Sequence, residues 1–288
     1  MKRISILIII LLSIFVSTGN ARDLAEIRQE GVLRHLGVPY ANFVTGQGDG
    51  LSVELIQLFA QSLGVKYEYV ETSWKNVIND LVGQQVSPDG DQVKLSGATP
   101  VRGDLIANGL TLLPWRQQVL DYSIPTFPTQ VWLVTSSASA VHPITPQDEA
   151  ADIAATSRLL TNSKLLGKQN TCLDPALYPF AGENFTTVYF QGNLHDMVPA
   201  VMQGEADMTL LDVPDALVAI NLWPGQVKVL GPLSAQQAMG VGFRKDMPEL
   251  KRAFNTFLSG LQQNGEYQEL VRKYYPDVFD YYPDFFRK

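Results

Sequence analysis

The stretch Asp104-Leu-Ile-Ala-Asn-Gly109-Leu-Thr111-Leu-Leu-Pro114-Trp-Arg116-Gln-Gln-Val-Leu-Asp121-Tyr-Ser-Ile-Pro125 decides how the rest of this chain is read. Asp104 to Ala107 is a short apolar run of the kind that forms a buried strand, and Gly109 and Thr111 continue it with small and hydroxyl residues. Pro114 breaks the run and presents a single arginine, Arg116. An apolar segment with Asp121 and Ser123 follows, and Pro125 stops it. Chemically this is a compact set of donors: a hydroxyl, backbone N–H groups and a guanidinium that can grip a carboxylate with two parallel hydrogen bonds. An isolated arginine beside a turn reads as a solvated surface residue. The flanking sequence changes that reading.

Upstream, Asp23 to Gly31 has helical character and Val32 to Val38 reads as a strand. Pro39-Tyr-Ala-Asn-Phe43 leaves it as a loop, followed by a polar, glycine-rich turn from Thr45 to Gly50. Ser52 is placed to cap a helix whose Ile56, Phe59, Ala60 and Leu63 share one face, and Gly64 closes it. Val65, Tyr67 and Tyr69 alternate with Lys66 and Glu68, a strand period. Trp74, Val77, Ile78 and Leu81 return to helical spacing, up to Gly83. The order β-α-β-α predicts an α/β layer fold. Gln84 to Gly103, rich in Gly, Pro, Asp, Gln and Ser, interrupts it as an inserted loop or small hairpin.

Downstream, Gln130 to Thr135 reads as a strand, and the Ser/Ala run from Ser136 to Ala140 marks a composition shift near which a hinge is expected. The second half repeats the grammar. Asn193 and Asp196 open a helix carrying Leu194, Met197, Val198 and Val201 on one face, with a kink expected at Pro199. Gly204-Glu-Ala-Asp207 then leads into a strand, Met208 to Leu211, as Gly103-Asp104 led into the first. Asp212 falls where this second strand ends, the place at which open α/β sheets gather ligand-binding groups. Val227 to Val241 runs extended and suits a return crossing. Asp246 and Glu249 suggest a capping box for an amphipathic helix bearing Leu250, Phe254, Phe257, Leu258 and Leu261. Asn264-Gly265 breaks it, and Tyr267, Leu270, Val271 and Tyr274 begin another. The tail, Tyr275 to Lys288, is crowded with aromatics that should pack back onto the globule.

The chain has 288 residues, 45% of them hydrophobic and 18% charged, enough for two globular domains. Lys2 and Arg3, the apolar run Ile4 to Val16 and the small residues before Ala21 form the pattern of a secretory signal peptide cut after Ala21. Its loss removes two of the 22 basic residues and none of the 29 acidic ones, taking the net charge from −7 to about −9. Such a surface argues against nucleic-acid phosphates as a partner. The single cysteine, Cys172, forms no internal disulfide and reads as a buried thiol. His35, His142 and His195 lack metal-ligand spacing, so no metal or cofactor is expected.

Taken together, these pieces resemble the periplasmic solute-binding proteins of family 3, the amino-acid-binding subunits of ABC transporters. The pieces are Gly31-Val-Leu-Arg-His-Leu-Gly-Val-Pro-Tyr40, Gly50-Leu-Ser-Val-Glu-Leu, Ser73-Trp74, Asp104 through Arg116 to Pro125, Gly204-Glu-Ala-Asp-Met-Thr-Leu-Leu-Asp212 and Gly265-Glu-Tyr. Their order and spacing carry the likeness from about Leu24 to Tyr275. The resemblance implies an α/β, two-lobed periplasmic binding protein-like fold of type II with two crossing hinge strands. Residues 22–135 plus 232–275 would form lobe one, residues 136–231 lobe two, and residues 276–288 an added tail. It implies a monomer that closes on an amino acid or other small carboxylate and delivers it to an inner-membrane ABC permease, without catalysis.

Carried over position by position, Arg116 matches the partner of the ligand α-carboxylate and Thr111 a second carboxylate donor. Asp212 matches the acid that receives the α-ammonium. Tyr40 and Trp74 match aromatics that sandwich the ligand side chain, and Asn170-Thr171 approximates a pair of lobe-two donors. Gly109 stands where a hydroxyl residue is frequent. Each role has a plainer competitor: Trp74 and Tyr40 as core aromatics, Asp212 as the cap of a helix beginning Val213-Pro214. Two other functions compete. One is a sensory binding protein that serves a membrane partner. The other is a cyclohexadienyl dehydratase-like lyase, whose Ser-Trp-x-Asn segment resembles Ser73 to Asn76. Its acid would fall at Leu173, one residue before Asp174.

Overall fold

The computed structural model describes residues 22–90, 92–169, 171–178, 180, 184–192 and 194–287; the expected signal segment 1–21, Asn170 and Asn193 lie outside them. Helix α1 (Leu24–Glu30) leads into β1 (Val32–Gly37), α2 (Leu51–Leu63), β2 (Lys66–Glu71) and α3 (Val77–Val82). The insertion is a hairpin, β3 (Gln84–Asp89) and β4 (Gln92–Ala98), which forms a two-stranded sheet of its own. β5 (Leu105–Thr111), the short helix α4 (Pro114–Gln117), β6 (Leu120–Tyr122) and β7 (Phe127–Thr129) follow. The second half runs β8 (Val131–Ser136), α5 (Glu149–Arg158), β9 (Lys164–Gly167), β10 (Thr186–Tyr189), α6 (Met197–Met202), β11 (Met208–Asp212), α7 (Val213–Leu222) and β12 (Val227–Pro232). β13 (Gln237–Arg244), α8 (Pro248–Asn264), α9 (Glu266–Tyr274) and α10 (Val278–Tyr281) end the chain.

Two mixed sheets result. The first has the order β2-β1-β5-β13-β6, with β7 also paired to β13; the second has the order β10-β9-β11-β8-β12. In the first sheet β1 runs parallel to β2 and β5, and β13 returns antiparallel to β5, β6 and β7. In the second, β9 is parallel to β10 and β11 while β8 is antiparallel to β11 and β12. Strand β5, buried on both faces as its apolar run required, sits in the middle of the first sheet.

The chain changes sheets at Gln130 and comes back through residues 233–236. Residues 131–135, which the sequence reading put in lobe one, therefore belong to the second sheet. The Ser/Ala run beyond them is a turn at that sheet's end rather than the crossing. A change in composition marks an exposed turn. A crossing is instead tied by hydrogen bonds, side-chain and backbone, between residues far apart in the chain, which leave no compositional trace. Here Gln130 Nε2 donates to the Ser234 carbonyl at 2.8 Å, Ser234 Oγ accepts the Val131 N–H at 2.9 Å, and the Leu233 N–H donates to the Val131 carbonyl at 2.8 Å.

Three local expectations shift. Helix α2 starts at Leu51 with Gly50 before it, and the Ser52 N–H donates to the Phe43 carbonyl at 3.0 Å. Helix α8 is capped from a distance: Asp23 accepts the N–H groups of Glu249 and Leu250 at 3.1 and 2.8 Å, while Asp246 pairs with Arg244 at 3.0 Å. Pro199 falls in the first turn of α6, where its missing N–H leaves no helical bond unmade.

The tail packs across the crossing. The Tyr282 hydroxyl donates to Gln130 Oε1 at 3.1 Å, and its ring stacks 6.2 Å from Trp132 of β8. Phe286 meets Phe127 of β7 at 6.3 Å. Asn221 of α7 donates to Asp277 at 3.0 Å. The tail thus touches both sheets.

His35 ties the first sheet together from inside. Its Nε2 lies 2.6 Å from the Ala107 carbonyl, which only accepts, so Nε2 carries the proton and Nδ1 takes the Tyr67 hydroxyl at 2.9 Å. Burial brings its pKa down to about 4, with the Ala107 carbonyl opposing. The folded value lies below the unfolded one, so this contribution is complete above about pH 6.5 and is lost as pH falls through about 4. Denaturant unfolding should therefore show up to about 3 kcal/mol of lost stability across that window, and His35→Gln should flatten the slope.

Candidate functional site

Arg116 is held by the turn that β5 makes into α4, a helix started by Pro114. Its Nη1 donates to the Thr111 carbonyl at 3.0 Å, and the Tyr122 hydroxyl reaches the same oxygen at 3.2 Å. The guanidinium carbon lies 5.3 Å above the Trp115 ring. Arg116 Nε is buried without a hydrogen-bond partner among the described residues. One edge of the fork is thus anchored. Thr111, buried in β5 opposite Met239 of β13, supplies the anchor through its carbonyl. Burial pushes the Tyr122 phenol up to about 12, with the Arg116 charge opposing.

Gly109, two residues earlier, has φ +68°, and a Cβ there would sit 2.5 Å from the Phe43 ring. The absence of a side chain is thus explained by backbone conformation and a close-packed ring. Gly109→Ser should lower stability by about 1–3 kcal/mol in denaturant unfolding, since strain and clash act together.

On the other sheet, Asp212 ends β11 and caps α7, accepting the Asp215 N–H at 3.4 Å through Oδ1. Its Oδ2 accepts the Tyr40 hydroxyl. The plainer of its two expected roles is therefore present, the cap of a helix, and the same carboxylate faces the first sheet through Tyr40. Tyr40 leaves β1 in a loop fixed by its own N–H donating to the Val44 carbonyl at 2.9 Å. Its ring stacks on Phe43 at 5.9 Å and meets Trp74 edge-on at 5.4 Å. Trp74 lies in the turn before α3 and is 39% exposed, so it is no core residue. Burial raises the Tyr40 pKa well above its usual value, and the charges of Asp212 and Asp215 push the same way.

The loop after β9 closes this region. The Thr171 hydroxyl donates to the Lys168 carbonyl at 2.8 Å and accepts the Leu173 N–H at 3.0 Å, so it is engaged within its own turn. Burial drives the Cys172 pKa up, Asp212 adds to that and Arg116 opposes it. The Tyr178 hydroxyl donates to the Cys172 carbonyl. Leu173 is buried, and Asp174 accepts the Ala176 N–H at 3.0 Å and the Tyr189 hydroxyl at 3.1 Å, capping the turn 175–177.

Tyr40, Trp74 and Asp212 are thus in one chain of contacts, and Arg116 with Thr111 is held at the end of β5 in the first sheet. Sequence reasoning did not single out Asp215 or Tyr178. The spacing of Asp215, three residues after a capping aspartate, was the available signal; its burial was not readable. Among the described residues no three His, Cys, Asp or Glu side chains gather as a metal ion would require. No helix among them is long and apolar enough to cross a membrane.

Comparison with known proteins places these features in context. The model of the bacterial extracellular solute-binding proteins, family 3, matches residues 94–277. The arginine-binding extracellular protein ArtP of Bacillus subtilis (strain 168) is 21% identical over 265 residues, 89% of this chain and 91% of ArtP. The membrane-bound lytic murein transglycosylase F of Pseudomonas fluorescens is 26% identical over 262 residues, 88% of this chain; the chain spans about half of that protein, 48%. Among solved structures, the ancestral amino acid-binding protein AncCDT-1, a precursor of cyclohexadienyl dehydratase, superposes with a TM-score of 0.65 at 22% identity. It covers 88% of this chain and 98% of its own. That likeness shows a shared two-lobed fold.

Proposed function

The chain belongs to the bacterial extracellular solute-binding proteins of family 3, and we propose from that premise that it binds an amino acid or a close derivative between its two sheets. Arg116 takes the α-carboxylate, with Thr111 beside it; Asp212 takes the α-ammonium; Tyr40 and Trp74 flank the side chain. The observation that carries this reading is the Tyr40–Asp212 hydrogen bond between the sheets. It puts the buried acid within reach of the first sheet and fills, with a hydroxyl, the place an ammonium would occupy. A zwitterion leaving water needs both charges answered. Arg116 and Asp212 supply opposite charges from different sheets, so only a closed arrangement serves both, and ligand would favour it.

The arginine-binding ArtP and the amino acid-binding AncCDT-1 support an amino-acid ligand. In this reading the chain is exported to the periplasm after loss of residues 1–21, acts as a monomer, and hands its ligand to an inner-membrane ABC permease; a sensor is the alternative partner. Neighbouring genes for a permease and ATPase, or for a sensor kinase, separate the two. The test of ligand class is a thermal-shift panel of amino acids and small carboxylates on residues 22–288. Binding raises the melting temperature by mass action, and a panel in which no free carboxylate shifts it would overturn the role of Arg116.

The lyase is the weaker reading. Its acid would have to reach the substrate, yet Leu173 has no proton to give and Asp174 caps a turn and accepts from Tyr189. Incubation with prephenate should yield no phenylpyruvate above background.

A further inference from the structure

We propose that Asp215 is a positioning residue of this site: its carboxyl stays protonated and donates to Asp212, fixing Asp212 as the single anion of the pair. The inference rests on the reading of Asp212 as the ammonium receiver and adds a residue to it. Helix α7 supplies the geometry. Asp212 is its cap and Asp215 stands three residues on, so the two side chains rise on the same side of the first turn. The Asp215 N–H donates to Asp212 Oδ1 at 3.4 Å, which holds the two acids together in that turn.

Two carboxylates both accept, and neither can donate to the other unless one carries a proton. The orphaned atom identifies which. Asp215 Oδ2 is buried and has no hydrogen-bond partner among the described residues, whereas both Asp212 oxygens accept, from Tyr40 and from the Asp215 N–H. The groups facing Asp215 from other elements are Tyr40 in the loop after β1, Cys172 in the turn after β9 and Tyr275 at the end of α9. None is a cation. Behind it lies a crevice lined by Leu194, Val198, Leu211, Val218 and Trp223, with His195 at its edge. The imidazole of His195 is exposed and approaches Asp196 at 3.6 Å.

An ionised Asp215 would leave its buried Oδ2 without a donor and set a second negative charge beside Asp212, which is costly. A proton on Oδ2 removes that cost and creates the missing donor. Burial and then the Asp212 charge raise the Asp215 pKa well above the usual carboxylate range, in the same direction. Asp212 is raised by burial as well, but Tyr40 and Asp215 donate to it and oppose the rise. The pair holds one proton, and it resides on Asp215. When a ligand ammonium displaces the Tyr40 hydroxyl, the two donors from Asp215 remain and Asp212 keeps its orientation.

The carboxyl carbons of the ligand-free protein, followed by NMR through a pH titration, test this without any ligand. Asp215 should keep a protonated-acid shift at neutral pH while Asp212 shows a carboxylate; ionised Asp215 at pH 7 would overturn the proposal. The second arm uses the amino acid giving the largest thermal shift. Asp215→Asn, which keeps a donor, should bind within about threefold of the unaltered protein, and Asp215→Ala should lose about tenfold or more. If Asn binds as weakly as Ala, the site needs the charge and the proposal fails. It fails too if both variants bind normally. A protein that binds no amino acid at all would refute the functional reading alone, since the titration decides the proton's place by itself.

Discussion

Arg116→Gln should weaken amino-acid binding by about 2–5 kcal/mol, some thirtyfold to several thousandfold, in isothermal titration. Most of that loss comes from leaving the ligand carboxylate buried without its counter-charge. The variant should fold normally, because the anchoring bond of the guanidinium is to the Thr111 carbonyl and the sheet pairing is made by backbone groups. Arg116→Lys should restore only part of the affinity. An ammonium keeps the charge but cannot present two parallel donors while also holding the Thr111 oxygen. If Lys restores binding completely, the carboxylate is held by charge alone and not by the fork.

The second large effect is expected at Asp212. Asp212→Asn keeps one side-chain oxygen to cap α7, as Asp212 Oδ1 does, and turns its amide NH2 toward the Tyr40 hydroxyl, which can accept from it. Stability should hold within about 1 kcal/mol. Binding should nonetheless fall by at least about a hundredfold, because the ammonium then meets a neutral amide in a water-poor site. An unchanged affinity with an unchanged melting temperature would reduce Asp212 to a cap. With the two residues proposed to serve opposite ends of one ligand, the double variant should bind no more tightly than the weaker single one.

Much of this arrangement was legible in the residues, and the reasons differ by element. Strand β5 announced itself through the unbroken apolar run of its buried first half, Leu105 to Ala107. Asp212 was legible from two local rules at once, the end of an apolar strand and a Val-Pro start to a helix. Crossing points left no such mark. Gln130 and Ser234 form the junction through side-chain hydrogen bonds made 104 positions apart, and neither residue type signals that role. The cap of α8 failed for the same reason: Asp23 reaches it from 226 and 227 positions away, while nearby Asp246 is drawn off to Arg244.

Gly109 shows a different limit. Its position in the motif was readable, but the cause of its being glycine was not, since that depends on where Phe43 packs. Thr171 shows a third. A hydroxyl at the right place in a pattern became part of its own turn, which only the path of the chain from Lys168 to Leu173 reveals. The aromatic tail was correctly expected to pack inward, and its target, the crossing between the sheets, came from long-range contacts with Trp132 and Phe127.

The central claim is that one ligand is gripped by opposite charges from two sheets. Its most direct test is isothermal titration of the unaltered chain with the amino acid that gives the largest thermal shift, beside its carboxamide and its deaminated acid. Blocking the carboxylate removes the partner of Arg116, and removing the amine takes away the partner of Asp212. The account predicts that each analogue binds at least about a hundredfold more weakly than the parent. Either analogue binding as tightly as the parent would contradict it.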